Sequence, residues 1–511
     1  MAKKIIYIPL DERPCNLAYP MRLFKQSEAL EVVYPAKDLL GNKKSSADLE
    51  GIRQFILDEA VDADLLIFST EMVAYGGLLP SRIYKVGEEK LTVTEYVDFV
   101  KQIKTVNADL TIYVSNLIMR TPRYSSGDEE PDYYEEFGAD IFRYGWLSDQ
   151  ESRETLTQEE FTEMETLHKK VPLVYINDYE ARRAANLKVN LANIQLVKQG
   201  VIDYLIIPQD DSAPYGYTAK DQAVVYPTIK KERLQNRVAV YPGADEAGYT
   251  LLARAMQKLK QYQYKIYPFF ASDIGKVQIP LYEDRPLIES LKSHILATGA
   301  LLVDSSEEAD IVLAVNTPGR QMIEASQQLA KPNMTYDTCR NLRSFVNSIE
   351  HYLKQGKVIA VADSAYANGA DLELISMLDE QNLITKLAAY RGWNTNCNTL
   401  GSVIGTAIIQ ADLPQAAKLT EILKALLDDG FYQAIVRGAV TDHWLPERGL
   451  NYFDLKNQAA AVATHVEQSL VELATDYLRV TLSGANQLQP QVKFPWNRMF
   501  EIECTFMNLE E

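Results

Sequence analysis

Tyr204-Leu205-Ile206-Ile207-Pro208-Gln209-Asp210-Asp211-Ser212-Ala213-Pro214-Tyr215-Gly216-Tyr217 passes from an apolar run to two adjacent carboxylates and then into a Pro- and Gly-containing turn. A short apolar, aromatic and β-branched run bounded by turn residues predicts a buried strand that leads through a loop into a helix. Working outward, the same pattern recurs at 4–9, 31–34, 65–68, 110–114, 238–241, 265–270 and 311–315. Each run is followed by a polar loop and a helix-period segment, the signature of β-α-β units with parallel strands. With 204–207 this makes eight runs, the number that closes a barrel. Further runs at 301–303, 358–361 and 387–389 exceed one barrel, so a second sheet or an insertion is expected.

The expected fold is therefore α/β, with a (β/α)8-barrel-like catalytic region over residues 1–320, a smaller α/β segment over 321–412 and a helical C-terminal region over 413–511. Two doubly wound parallel-sheet lobes are the alternative. Residues 120–170 are acidic, Tyr-rich and without a clear strand, as in Glu129-Glu130-Pro131-Asp132-Tyr133-Tyr134-Glu135-Glu136, and look like a long excursion from one loop.

Composition narrows the function classes. The chain has 511 residues, too many for one ordinary core, and its 47% hydrophobic and 24% charged content is that of a globular protein. Lys and Arg number 52 against 70 Asp and Glu, a net charge of −18, which disfavours nucleic acid and anionic membrane as partners. Cys15, Cys339, Cys397 and Cys504 are far apart with no C-x-x-C spacing and are expected to be free thiols. The N-terminal apolar run turns polar at Asp11-Glu12-Arg13, so it reads as a first strand and not as a signal peptide; a cytoplasmic protein without a membrane span is expected.

Ligands of parallel α/β proteins gather at the carboxyl ends of the strands. After the first run come Asp11, Glu12 and Arg13, suited to binding hydroxyl or carboxylate groups, or equally to stapling their own loop as an Asp and Arg pair. Asp210 and Asp211 are the sharpest feature. Adjacent carboxylates raise one pKa, so one group keeps a proton while the other stays ionised. Such a division suits glycosidases of acetamido sugars, in which one carboxylate orients the acetamide that attacks the anomeric carbon and the other protonates the leaving oxygen. A helix-start Asp pair without chemistry is the plainer alternative.

The strand ending in Asp210-Asp211, the aromatic residues after it and the next strand closing on Tyr241-Pro242-Gly243 resemble the barrel of O-GlcNAc-removing β-N-acetylglucosaminidases. That resemblance implies Asp210 as the acetamide-orienting carboxylate, Asp211 as the general acid, and Tyr215 or Tyr241 steadying an oxazoline intermediate. Asn316, in Val315-Asn316-Thr317-Pro318-Gly319, is the nearest match to a later Asp-Asn motif of those enzymes. Nearly the whole chain, through Leu10-Asp11-Glu12-Arg13-Pro14, Gly392-Trp393-Asn394-Thr395 and Pro495-Trp496-Asn497-Arg498, also resembles a bacterial family known as a domain of unknown function.

Other strand ends add groups suited to a polyol: Glu71 before Tyr75-Gly76-Gly77, then Asn116 and Arg120. Asp245-Glu246 follow Gly243, where acids opening a helix are the stronger reading. Asp363 begins Asp363-Ser364-Ala365-Tyr366-Ala367-Asn368-Gly369-Ala370-Asp371. Arg391, Trp393 and Asn394 belong to an Asn-rich segment that is either a sugar-stacking surface or a helix-capping turn with Trp393 in the core. Only five His occur, none at helical zinc spacing, and no P-loop, G-x-S-x-G or dinucleotide fingerprint is present.

The expected function is a glycoside hydrolase releasing N-acetylhexosamine from a small-molecule or oligosaccharide substrate by substrate-assisted retaining catalysis, with no cofactor. Asp210, Asp211 and Tyr215 are the expected catalytic residues. Asp11, Glu12, Arg13, Glu71, Asn116, Tyr241, Asn316, Asp363, Arg391, Trp393 and Asn394 are expected to bind substrate. A sugar isomerase or epimerase using Mg²⁺ or Mn²⁺ held by Asp11, Glu71, Asp210 and Asp363 is the enzymatic alternative. A non-catalytic sugar-binding protein is the third reading.

Overall fold

The computed structural model describes residues 3–24, 30–483 and 488–507. The protein is mixed α/β with two parallel sheets, and the chain divides into two compact units. The first comprises residues 1–251 with 282–284, and the second 252–281 with 285–511.

In the first unit β1 (Lys3–Ile8), β2 (Leu30–Val33), β3 (Leu65–Ser69), β4 (Thr111–Ser115), β5 (Tyr204–Gln209) and β6 (Val238–Pro242) form one sheet in the order β2-β1-β3-β4-β5-β6. Every pairing in it is parallel. β3, β4 and β5 are buried along their whole lengths, as central strands of a parallel sheet must be when helices cover both faces. β2, at the edge, is only partly buried. Helix starts follow local chemistry: Asp48 caps Leu49–Ala60, and Thr92 with Glu95 forms a reciprocal cap on Val93–Val106.

In the second unit β7 (Lys265–Phe270), β8 (Leu301–Leu302), β9 (Ile311–Asn316), β10 (Val358–Asp363) and β11 (Ala389–Arg391) form a parallel sheet in the order β11-β10-β9-β7-β8. Its core joins the faces of β9 and β10 to Phe345, Ile349, Ile375, Phe431 and the helix Ala459–Tyr477 through Val462, Val466 and Leu470. An antiparallel pair, β12 (Pro490–Lys493) and β13 (Glu503–Phe506), lies in the region 413–511 expected to be helical.

The eight runs expected to make one barrel-like layer are divided: six belong to the first sheet, and 265–270 and 311–315 to the second. Among the described residues the pairing therefore divides these runs between two parallel sheets. The physical reason is that apolar periodicity marks a strand without naming its neighbours. Residues 120–170 are helical over much of their length, through Tyr134–Arg153 and Gln158–Lys170. The four cysteines are present as thiols, and among the described residues no helix is long and apolar enough to cross a membrane.

One turn fixes a strand end used below. After β3 the chain makes a π-helical turn, Glu71–Tyr75, and leaves it through Gly76 at φ 89° and Gly77 at φ 128°. A Cβ on Gly76 would meet Ser46 Oγ at 2.0 Å and the Ala47 backbone nitrogen at 2.8 Å. Gly76→Ala is expected to cost about 2 kcal/mol or more, from left-handed backbone strain and this contact together. A lowered urea midpoint with an unchanged slope would verify it.

Candidate functional site

Residues at the carboxyl ends of β3, β4 and β5 build a charged cluster in the first unit. Asp210 directly follows β5, and Asp211 then takes a left-handed conformation, φ 46°, which Asp tolerates better than most residues and which turns the chain out of the sheet. Gly216, at φ 116°, opens the helix Tyr217–Glu232, with its N–H donated to Asp149 at 2.9 Å.

Arg82, on the short helix Leu78–Ile83 that follows the two glycines, donates from Nη2 to Asp210 Oδ2 at 2.5 Å and from Nη1 to Glu130 Oε1 at 3.4 Å. Arg120, beyond β4, donates from Nε to Glu130 Oε1 at 2.9 Å and from Nη2 to Glu129 Oε2 at 2.8 Å; its Nη1 lies 3.8 Å from Asp211 Oδ2. The two aspartates are thus treated differently. Asp210 is gripped by a guanidinium, whereas Asp211 has only the longer contact and keeps 26% of its side chain exposed. Burial of its carboxyl group, then the neighbouring Asp210 charge, push the Asp211 pKa up to about 6 against the opposing pull of Arg120 and Arg82.

Glu71 is buried beside this cluster and fully engaged. Its Oε1 accepts from Asn116 Nδ2 at 2.9 Å and the Leu117 N–H at 2.8 Å, and its Oε2 from Ser69 Oγ at 2.8 Å. Burial raises its pKa despite these hydrogen bonds. Behind it, Asn193 donates to Asn116 Oδ1 at 3.0 Å and to Thr70 Oγ1 at 3.0 Å, and accepts from the Tyr96 hydroxyl at 2.9 Å. A cleft lined by Glu71, Tyr75, Ser81, Arg82, Asn116 and Asp210 opens here. Its enclosed part is about 10 Å³, room for about one water.

The remaining first-unit candidates are placed elsewhere. Arg13 donates from Nε to Asp11 Oδ2 at 2.9 Å and from Nη2 to Asp245 Oδ1 at 2.5 Å, while Asn16 Nδ2 reaches both carboxylates. Asp11, Arg13 and Asp245 are all buried, so this is the loop staple and not an open binding surface. Glu12 accepts from the Lys43 N–H at 2.9 Å. The Tyr215 hydroxyl donates to Glu154 at 2.6 Å under the Arg153 guanidinium, which ties it to that pair; Tyr241 is fully buried.

Asn316, Asp363, Arg391, Trp393 and Asn394 belong to the second unit. Asn316 and Asp363, opposite each other across β9 and β10, are joined by a 2.9 Å hydrogen bond. Asp363 also accepts from the Tyr390 hydroxyl at 2.7 Å and the Asp371 N–H at 2.8 Å; Arg340 donates to Asn316 Oδ1 at 3.0 Å and pairs with Asp371. Burial and then the Asp371 charge push the Asp363 pKa up to about 6. Arg391 lies 3.3 Å from Asp429. Trp393 is only 3% exposed, so it packs inside and presents no stacking face; Asn394, at φ 58°, makes the turn before the helix Asn396–Ile409. The part of the alternative reading that put Trp393 in the core agrees with its burial, but Thr395, the residue before the helix, makes no side-chain capping hydrogen bond.

Among the described residues no three His, Cys, Asp or Glu side chains are placed to hold a metal ion. Of the four carboxylates proposed for Mg²⁺ or Mn²⁺, Asp11 is committed to Arg13, Glu71 to its three donors and Asp210 to Arg82, while Asp363 is bound within the second unit. The donor set does not fit such a site. Sequence reasoning did not single out Arg82, Glu129, Glu130, Arg340, Asp371 or Asp429 as site residues. The signal for Arg82 was electrostatic: strand-end carboxylates without enough cations nearby require an arginine from elsewhere.

The family described as "Protein of unknown function (DUF4127)" matches residues 5–505. The chain belongs to that family. This agrees with the whole-chain resemblance carried by Leu10-Asp11-Glu12-Arg13-Pro14 and the two Trp-Asn segments. No curated protein matches the sequence. Among solved structures, the carboxyl transferase domain of Rhizobium etli pyruvate carboxylase is similar at 11% identity, with TM-scores of 0.18 in its 3-bromopyruvate form and 0.19 in its pyruvate and biocytin form. The chain is covered to 93% in both, but spans only 60% and 61% of those chains. Scores this low carry no argument about fold or chemistry.

Proposed function

We propose that the first unit is a glycoside hydrolase that releases N-acetylhexosamine by substrate assistance, with Asp211 as general acid and Asp210 orienting the acetamide. The observation that carries the reading is the asymmetry of the pair: Asp210 held at 2.5 Å by Arg82, Asp211 partly exposed with a pKa raised to about 6. In the first step the acetamide oxygen bonds to the anomeric carbon as the glycosidic bond breaks, and the Asp211 proton passes to the leaving oxygen. In the second, Asp211 takes a proton from water as that water opens the oxazolinium ion, whose N–H faces Asp210, so configuration is retained after two displacements. The enclosed cleft is too small for a sugar ring, so the ring lies across its mouth, beside Asp210 and Asp211. Each sheet is read as a doubly wound lobe, because its order reverses between β1 and β3 or between β7 and β9, and such sheets place ligands outside the carboxyl ends of their strands. A cytoplasmic setting belongs to the same proposal.

A panel of nitrophenyl glycosides, including N-acetylglucosaminide and N-acetylgalactosaminide, tests the reaction class. Turnover that an Asp210→Asn and Asp211→Asn double variant abolishes, and that chelator leaves unchanged, is the expected result; silence on the panel with Mn²⁺-dependent interconversion of free sugars in a separate assay would favour the isomerase, and binding of sugar without any turnover the sugar-binding protein. The pH profile supplies a second check. A general acid works protonated, so kcat/KM should fall about tenfold per pH unit above the Asp211 pKa of about 6. A rate still rising between pH 7 and pH 8 would remove Asp211 from the acid role, where ~7 and ~8 mark the range above its titration.

A further inference from the structure

Glu130 lies in the irregular stretch between β4 and the helix Tyr134–Arg153, and its side chain is fully buried. A carboxylate withdrawn from water needs matched cations, and an apolar residue often serves a fold as well. The cations of Glu130 are the two arginines of the aspartate pair. A single oxygen, Oε1, accepts from Arg120 Nε at 2.9 Å and from Arg82 Nη1 at 3.4 Å. Glu129 Oε2 accepts from Arg120 Nη2 at 2.8 Å, so two of the three guanidinium nitrogens of Arg120 are tied to this stretch. The third, Nη1, stops 3.8 Å from Asp211 Oδ2, beyond the reach of a hydrogen bond. Arg82, held by the same Glu130 oxygen, gives its close contact to Asp210.

We infer that Glu130 is a positioning residue: by tying Arg82 and Arg120 together it keeps the Arg120 guanidinium off Asp211 while Arg82 grips Asp210. The inference rests on the proposed role of Asp211 as general acid and deepens it. A guanidinium in direct contact holds a carboxylate ionised, which would remove the proton that the acid must give. Burial of Asp211 and the neighbouring Asp210 favour the protonated form, Arg120 and Arg82 oppose it, and the Glu130 charge adds to the rise. Loss of the Glu130 charge and release of either arginine therefore act on Asp211 in the same direction, toward a stronger acid.

Titration of the Asp211 carboxyl carbon by NMR in the full chain, comparing the wild type with two variants, tests this without a substrate. Glu130→Gln removes the charge; Glu130→Asp keeps it on a shorter side chain that cannot reach both guanidiniums. Each should lower the Asp211 midpoint, Glu130→Gln by about one pH unit, which makes Asp211 about a tenfold stronger acid. If one variant fails to fold, the other decides. Where an N-acetylhexosaminide is cleaved, the alkaline fall of kcat/KM should move down by the same amount, a shift that a merely structural role for Glu130 would not produce. An unchanged or raised midpoint in either folded variant overturns the inference. Because the shift is a difference between proteins, a lowered midpoint in the variants without cleavage of any glycoside would support the restraint while defeating the proposed reaction.

Discussion

Asp211→Asn is expected to lower turnover of an N-acetylhexosaminide by about 10²- to 10⁴-fold, the usual contribution of a positioned general acid. Asn preserves the shape of the side chain and its left-handed turn but carries no acidic proton. The loss should depend on the leaving group. A dinitrophenolate departs with little help from a proton, so cleavage of that substrate should suffer least in the variant, whereas a disaccharide, whose leaving alkoxide must be protonated, should suffer most. A merely structural role for Asp211 would depress all substrates alike. Asp210→Asn should behave otherwise, because Arg82 loses its 2.5 Å carboxylate partner and the acetamide loses its orienting charge; its loss should fall on every acetamido substrate regardless of leaving group.

Arg13→Ala is expected to destabilise the protein by about 3–5 kcal/mol, the cost of breaking a buried ion pair. Arg13 is 3% exposed and its guanidinium bridges Asp11 at 2.8 Å and Asp245 at 2.5 Å. Its removal would leave those two buried carboxylates facing each other with Asn16 as their shared donor. Urea unfolding monitored by circular dichroism would show the shift in midpoint. Acidifying the solution should recover part of the loss, because protonating one carboxylate removes the repulsion. An unchanged midpoint would mean that the loop ends of β1 and β6 are held by other contacts and that the Arg13 bridge contributes little.

The strands were legible because a parallel strand covered on both faces is apolar throughout, and runs such as Leu65-Leu66-Ile67-Phe68 and Ile311-Val312-Leu313-Ala314-Val315 are too short for a buried helix between their polar flanks. Their partition into two sheets was not. Nothing in the sequence of β7 distinguishes a seventh strand of one sheet from the first of another, since sheet order is set by crossovers that periodicity does not record. The dyad at the end of β5 was visible because two adjacent carboxylates directly follow an apolar run, where ligands of parallel α/β proteins gather. Its partner Arg82 was not, because it lies on a helix beyond two glycines, at the end of no strand. Trp393 shows the converse error: a Trp among Asn residues suggests a sugar platform, yet the ring is buried and the Asn residues open a helix.

The claim on which the proposed chemistry depends is that Asp211 holds its proton close to neutral pH beside the carboxylate of Asp210. Titration of the Asp211 carboxyl carbon by NMR, in protein labelled at aspartate and assigned by comparison with Asp211→Asn, measures this directly and needs no substrate. A midpoint of about 6 is predicted. A midpoint near the ordinary aspartate value of about 4 would show an unperturbed carboxylate and contradict the general-acid role.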